Sequence, residues 1–295
     1  MRWSVLGVMV LLGWAPPALA LTPYVLADRI WCQPLAVCVA RVEQKLQAAG
    51  FRVLGVHKPV GLPQYAVVVV ADPAFLETIR KLGGSAVVGA GIRIGVRADG
   101  RVSYINPDYW YRAYFQQRFD AAAPQVTALA LRLAQALGRS GEFGGDVPAI
   151  ELSKYRYMIG MERFDSDKNA LKTYPGFEAA VKSVKANLAR HVAHTSQVYE
   201  LILPAQKIAV FGVAMNDPAH GEGWWVQKAG AEHIAALPWE VFVIDGTVYA
   251  LYARYRTALA WPGLPMATFM RIADHPDTAH EMLSAVAGGH ELSAW

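Results

Sequence analysis

The chain has 295 residues, of which 54% are hydrophobic and 18% are charged, and it carries a formal net charge of +4. Disordered chains show the opposite balance, so this composition predicts folded domains with sizeable cores. The positive excess is small and no run of basic residues is longer than two, which argues against a nucleic-acid partner. The composition also excludes collagen, coiled coils and proteins with several membrane spans.

The first twenty residues have the pattern of a secretory signal peptide. Arg2 supplies a positive charge, Val5 to Leu12 form an apolar run, and Ala18-Leu19-Ala20 is an A-x-A cleavage site. The alternative is an uncleaved anchor, but the apolar run is short for a hydrocarbon core of about 30 Å. We therefore expect cleavage near Ala20 and a mature protein that is periplasmic or secreted and has no membrane span.

Cys32 and Cys38 are the only cysteines. In an oxidising compartment, two neighbouring cysteines favour a disulfide. A thiolate pair for a soft metal or for redox exchange is an alternative, although the spacing is neither C-x-x-C nor the haem-attachment motif. Two free, buried thiols are the remaining alternative. We expect the disulfide.

The first half predicts helices and strands that alternate with turn signals. In chain order these are a helix over 35–49, strands over 51–56 and 65–71, a short helix opened by Asp72-Pro73, strands over 86–88, 92–96 and 101–105, a helix capped at 106–108, and a helix over 124–137. Asp99-Gly100 is the turn of the last hairpin. Residues 138–149 contain four glycines and one proline, which is typical of a linker.

The second half repeats this plan. Its expected elements are a strand over 154–164, a helix over 174–190, strands over 198–203 and 207–214, a loop over 215–227, a short helix over 229–236, hairpin strands over 240–244 and 247–255, and a helix over 276–287. The turn of that hairpin is Asp245-Gly246.

Each half therefore gives a helix, two strands, a short helix and a hairpin, which favours an α+β fold over a doubly wound α/β sheet. We expect two similar domains with antiparallel or mixed sheets and with helices packed on one face. Their boundaries are 21–138 and 150–295, separated by a linker over 139–149 and preceded by the signal peptide over 1–20.

Two hairpin segments align along the chain, RADGRVSYINPDYWYRAYF and VIDGTVYALYARYRTALAW. Together with YAVVVVADP, KIAVFGVAMNDP and Leu237-Pro238 in LPWEVFVIDGTVYALY, they make each half similar to the domain of unknown function 302 family. The resemblance implies compact α+β domains that tend to pair, with no settled activity. A tandem copy in one chain then implies a monomeric internal pseudo-dimer.

A soft-metal site is one functional hypothesis. Met158 and Met161 lie close together in KYRYMIGMERF, and thioethers are soft ligands for copper. His191 and His194 are expected one turn apart at a helix end, where they could chelate a metal from one face. The alternatives are core packing for the methionines and a favourable interaction with the helix dipole for the histidines.

His220 is expected in a loop beside Trp224 and Trp225. Loops carry function more often than cores do, and a histidine next to indole rings suits a flat ligand. A solvated loop histidine is the alternative interpretation.

Arg254 and Arg256 are expected on one face of a strand, with Tyr252 beside them. Guanidinium groups among aromatic rings bind carboxylates well, including the propionates of haem. The alternative is an ion pair with Glu240 or Asp245 across the hairpin.

The sequence contains no G-x-S-x-G, H-E-x-x-H or P-loop motif, and nothing else in it supports an enzyme. We expect an exported, non-catalytic protein that binds haem or another flat anionic ligand between its two domains. A copper carrier is one alternative. An accessory protein that binds a partner protein, without a small ligand, is the other.

Overall fold

The computed structural model describes residues 20–154 and 169–289. It has an α+β fold, with helices packed on antiparallel sheets, which confirms the expected fold class. Within the described residues, no helix is both long enough and apolar enough to cross a membrane. The expected strand over 154–164, with Met158 and Met161, lies almost wholly outside the described residues.

The first half builds a six-stranded sheet with the order β3-β4-β5-β6-β2-β7. The elements in chain order are β1 (Ala20–Leu21), β2 (Tyr24–Leu26), α1 (Leu35–Ala48), β3 (Arg52–His57), β4 (Tyr65–Ala71), α2 (Pro73–Leu82), a 3-10 helix (Gly84–Ala90), β5 (Ile92–Arg97), β6 (Val102–Ile105), α3 (Pro107–Phe115), α4 (Phe119–Leu137), β7 (Gly141–Phe143), β8 (Val147–Pro148) and α5 (Ala149–Leu152). Strands β1 and β8 form a separate pair.

The second half builds a five-stranded sheet with the order β10-β11-β12-β13-β9. Its elements are β9 (Ala170–Thr173), α6 (Phe177–Ala189), β10 (Thr195–Leu203), β11 (Ile208–Met215), α7 (Glu222–Ala229), a 3-10 helix (Ala231–Ala236), β12 (Trp239–Ile244), β13 (Thr247–Ala250), α8 (Ala253–Ala260), α9 (Met266–Met270) and α10 (His275–Val286). This is the strand order of β3-β4-β5-β6-β2, so the two sheets share one topology and β7 is an addition to the first.

Local signals explain several elements directly. Strand β4 is a run of β-branched residues and is buried along almost its whole length, as a central strand between two packed faces requires. Helix α2 begins after Asp72, whose side chain accepts a hydrogen bond from the Ala74 amide at 2.9 Å. A carboxylate is a favoured N-cap, and proline suits the first helical position. Arg132 of α4 pairs with the same carboxylate at 2.7 Å and so ties α4 to α2.

The two halves pack against each other reciprocally. Helices α1 and α6 cover the outer faces of their own sheets, and the inner faces meet. The 3-10 helix Gly84–Ala90 packs on β11 and β12, and the 3-10 helix Ala231–Ala236 packs on β4, β5 and β6. At one edge, the buried side chains of His57 and Glu222 are in contact across the halves. This arrangement is compatible with an internal pseudo-dimer, and both the pseudo-dimer and its origin by duplication stay predictions.

The structure differs from the expected elements in three places where tertiary context decides. The apolar residues 86–88 were expected to form a strand but belong to a 3-10 helix, because that segment is buried against the other sheet. The expected loop over 215–227 ends early, since α7 begins at Glu222. The strand expected over 247–255 stops at Ala250, and residues 253–260 form helix α8 instead.

The glycine-rich segment after α4 also carries structure. Gly141–Phe143 form β7, which pairs with β2. The first sheet therefore extends into the residues that the composition predicts to be a linker. At the opposite end of this half, Cys32 and Cys38 form the expected disulfide just before and within α1.

Candidate functional site

The aromatic residues predicted to surround a ligand do not converge on one site. Trp225 is 1% exposed and belongs to the core, where it stacks on His275 with a 4.0 Å separation of ring centroids. Trp224 is only partly buried, with the Lys228 ammonium 3.6 Å from its ring centroid. His220 is exposed and lies 3.6 Å from the Asp217 carboxylate.

The two predicted arginine ligands lie on a helix and not on the expected strand, and they therefore point in different directions. Arg254 and Arg256 lie on helix α8, where residues two apart point to different faces. Arg256 is buried, donates to the Ala236 carbonyl at 2.7 Å and lies 3.5 Å from Glu240. The expectation of two arginines on one strand face is wrong. Arg256 forms an ion pair with Glu240, as the alternative had it, but from a helix and not across the hairpin. Tyr252 is the residue that precedes α8.

The predicted histidine pair lies beyond the end of α6. That helix ends at Ala189, and His191 and His194 both follow it with a positive φ. The expected i, i+3 placement on one helix is therefore wrong, although both side chains are exposed. In residues 20–154 and 169–289, no group of three or more His, Cys, Asp or Glu side chains is placed to hold a metal ion.

The structure instead places a cleft of about 420 Å³ on the inner face of the first sheet, where the two halves meet. The floor is one row of directly opposed residues on β5, β6, β2 and β7, namely Gly95, Ser103, Leu26 and Gly141. Opposed residues of antiparallel strands point to the same face. Because three of the four side chains are absent or small, the floor is low and nearly flat.

One wall of the cleft carries positive charge. Tyr65 and Arg97 are opposed on β4 and β5, and Arg101 follows across the hairpin. Both guanidinium groups share the Asp99 carboxylate, at 3.7 Å and 3.5 Å. These distances are longer than those of good charge-assisted hydrogen bonds, which are about 2.7–2.9 Å, so the two cations retain donors for a ligand.

The other sides are aromatic and acidic. Phe143 of β7 packs against Tyr24, with ring centroids 5.3 Å apart. The second half closes the cleft with Ile234 and Glu232 from its 3-10 helix. Residues of both halves therefore line the cleft, most of them from the first half. A second depression, of about 660 Å³, is lined by residues of the first half alone: Gln33, Pro34, Leu35, Pro63, Gln64, Ala98 and Asp99.

The equivalent position in the second half is filled. Phe242 is the fourth residue of β12, and Gly95 is the fourth residue of β5. Tyr249 is the cross-strand partner of Phe242, and Ser103 is the cross-strand partner of Gly95. The rings of Phe242 and Tyr249 stack at 5.5 Å and 15°. At this pair of equivalent positions in the described residues, the first half is open and the second half is filled.

A buried charge cluster lies beside the cleft, between the halves. Arg93 donates to Glu240 at 2.5 Å, to the Ala235 carbonyl at 3.0 Å and to the Tyr114 hydroxyl at 3.2 Å. The Arg93 and Arg256 guanidinium groups lie 4.7 Å and 4.8 Å from the Trp110 ring centroid. With both arginines and the glutamate buried, this cluster holds the halves in register and offers no open position.

No protein-family model, curated protein or solved structure matches this chain. The cleft is therefore interpreted from its own residues. The sequence contained one signal for it, since a glycine inside a strand, such as Gly95, often marks a close approach of another group. At Gly95 a Cβ atom would lie 2.5 Å from Ile234 Cγ2 of the other half.

Proposed function

We propose that this protein binds a small planar molecule with a carboxylate in the cleft between its halves, and that it carries out no chemistry on that molecule. The observation that carries the proposal is the pair Arg97 and Arg101 on the wall of an otherwise mainly apolar cleft. Its volume of about 420 Å³ is in the range of about 300–1,000 Å³ that is usual for small-molecule sites.

The lining favours a ligand smaller than haem. The residue types that usually hold haem iron are His, Cys, Met and Tyr, and of these the described lining contains only Tyr65. Arg97 lies over that ring, 5.6 Å from its centroid. Tyr65 is therefore better placed to stack with the arginine than to face a ligand as an axial group.

Two features support an exported protein. The first twenty residues have the pattern of a signal peptide, and the Cys32–Cys38 disulfide is of a kind that persists in oxidising compartments. We therefore propose that the ligand is bound outside the cytoplasm, in the periplasm or after secretion.

The test is to close the cleft without disturbing the fold. A Cβ at Gly141 would have no heavy atom within 4 Å, so the backbone there accepts a side chain, and Gly141→Phe is designed to place its ring over the floor. Gly176 is equally open and is not a lining residue, so Gly176→Phe is the matched control. The probe is indole-3-propionate, and saturation-transfer NMR measures its binding to each protein.

We expect binding to the unmodified protein and to Gly176→Phe, with at least a tenfold loss in Gly141→Phe. Equal binding to all three proteins would place the ligand elsewhere. Absence of binding to the unmodified protein would contradict the proposal itself.

A further inference from the structure

We propose that the ligand of the cleft is a zwitterion, with a carboxylate at Arg97, Arg101 and Ser103 and an ammonium group at Glu232. This inference rests on the proposed function and narrows the class of ligand. It depends on two polar groups of the lining, Ser103 and Glu232, that have no hydrogen-bond or ion-pair partner among the described residues and are open to the cleft.

Ser103 is the first of these groups. The residue is only 6% exposed, yet its hydroxyl makes no hydrogen bond to any described residue. Ser103 lies on the cleft floor and shares a sheet face with Arg101, two residues before it on the same chain segment. A hydroxyl that lines an open cleft and has no partner among the described residues can donate a hydrogen bond to a carboxylate held by the arginines.

Glu232 is the second group. It is an exposed residue at the edge of the cleft, and its carboxylate has no ion pair within the described part of the chain. The other lining carboxylate, Glu142, contacts Arg139 and accepts a hydrogen bond from the Thr22 hydroxyl at 3.1 Å. Asp99, next to the cleft, is held between the two arginines. A ligand with only a negative charge would be repelled by the Glu232 carboxylate, whereas an ammonium group on the ligand would form an ion pair with it.

The lining between the two charged positions suits an apolar, flat body. Gly95 and Gly141 leave the floor without side chains, Leu26 covers its centre, and Phe143 offers a ring at the side. An aromatic group can stack or lie edge-on against such a ring. The ligand class is therefore a planar apolar group that carries both a carboxylate and an ammonium group, as an aromatic amino acid does.

Three probes with one ring system separate the two charges. Tryptophan carries both groups, indole-3-propionate lacks the ammonium group, and tryptamine lacks the carboxylate. Isothermal titration calorimetry with the unmodified protein is expected to give tryptophan at least a tenfold affinity advantage over each of the others. The advantage is the size expected for one charge-assisted hydrogen bond.

A charge-removing variant then locates the ammonium site. Glu232→Gln is expected to bring tryptophan down to the affinity of indole-3-propionate and to leave the affinity of indole-3-propionate equal or higher. Glu142→Gln is the matched control, because this residue lines the same cleft but is already paired. It is expected to leave the ratio of the two affinities within twofold.

The outcomes separate this inference from the proposed function. If indole-3-propionate binds at least as tightly as tryptophan, or if Glu232→Gln leaves the tryptophan advantage intact, the zwitterion is wrong while an anion site stands. If none of the three probes binds, the proposed function fails, and this inference fails with it.

Discussion

The two halves of the molecule share one strand order and differ most where they face each other. On the first sheet, Gly95 and Ser103 leave an open cleft, whereas the stacked rings of Phe242 and Tyr249 fill the corresponding place on the second. A homodimer would show the same surface twice. If the halves arose by duplication, as the sequence predicts, joining them in one chain allowed the two sheets to differ at this place.

The charge cluster between the halves shows the same divergence. Arg93 and Glu240 are each the second residue of the third strand along their sheets, and they pair with each other across the junction. In a symmetric dimer with this geometry, two identical charges would meet. An arginine on one half and a glutamate on the other give attraction instead, and this favours association of the two halves over self-association of either.

The largest expected effect follows from breaking this pair. Glu240→Gln leaves Arg93 and Arg256 buried without their carboxylate, which is expected to cost about 3–5 kcal/mol of unfolding free energy. Urea unfolding, followed by circular dichroism, measures the change. The control is Glu200→Gln, whose partner Lys185 lies 2.9 Å away on the surface, where the expected cost is below about 1 kcal/mol. Equal costs for the two variants would show that the buried cluster does not hold the halves together.

Opening the filled position of the second half is expected to cost somewhat less. Phe242 is 2% exposed, and Phe242→Ala removes the ring that stacks on Tyr249. Large-to-small changes of this kind in a core cost about 3 kcal/mol or more. Thermal unfolding checks the loss, with Leu131→Ala on the exposed face of α4 as a control that is expected to change little. A negligible loss would mean that the two positions do not differ in packing as described.

The disulfide is a third difference, because only the first half has one. Replacing Cys32 and Cys38 together by alanine is expected to lower the unfolding free energy by about 2 kcal/mol, since the closed loop is short. The measurement is urea unfolding of the double variant beside the oxidised protein. A reducing agent is expected to lower the stability of the unmodified protein by a similar amount and that of the variant not at all. A reductant effect on the variant would assign the loss to another cause.

Parts of this architecture could be predicted from local sequence alone. The run of valines in β4, the Asp72-Pro73 start of α2 and the two Asp-Gly hairpins each contain their own signal, because cap, turn and burial act within a few residues. The common plan of the two halves could be predicted because the same kinds of local signal occur in the same order in each half.

The cleft could not be predicted in this way. Its floor combines Gly95, Ser103, Leu26 and Gly141 from four strands that are distant in sequence, and only the sheet order brings them into one row. The helix over Ala253–Ala260 was also missed, because the hairpin strand before it and Tyr255 within it suit a continued strand equally well. In both cases tertiary context overrides local preference.

Acid sensitivity is expected to arise in the second half, where the buried His275 and the partly buried His233 lie close to tryptophans. Burial lowers the pKa of His275 to about 3 and the pKa of His233 to about 4, the latter despite the nearby Glu232 carboxylate. Both rings are neutral in the folded protein near neutral pH, whereas the unfolded chain takes up protons below about pH 6.5. Their stabilising contribution is thus complete above that pH and is lost as the pH falls towards 4.

At pH 5.5 each histidine is expected to lower the unfolding free energy by about 1 kcal/mol relative to pH 8. Urea unfolding of the unmodified protein and of His275→Gln at both pH values measures this, and the variant is expected to lose about half of the pH dependence. An unchanged pH dependence in the variant would show that the burial of His275 does not cause the loss of stability in acid.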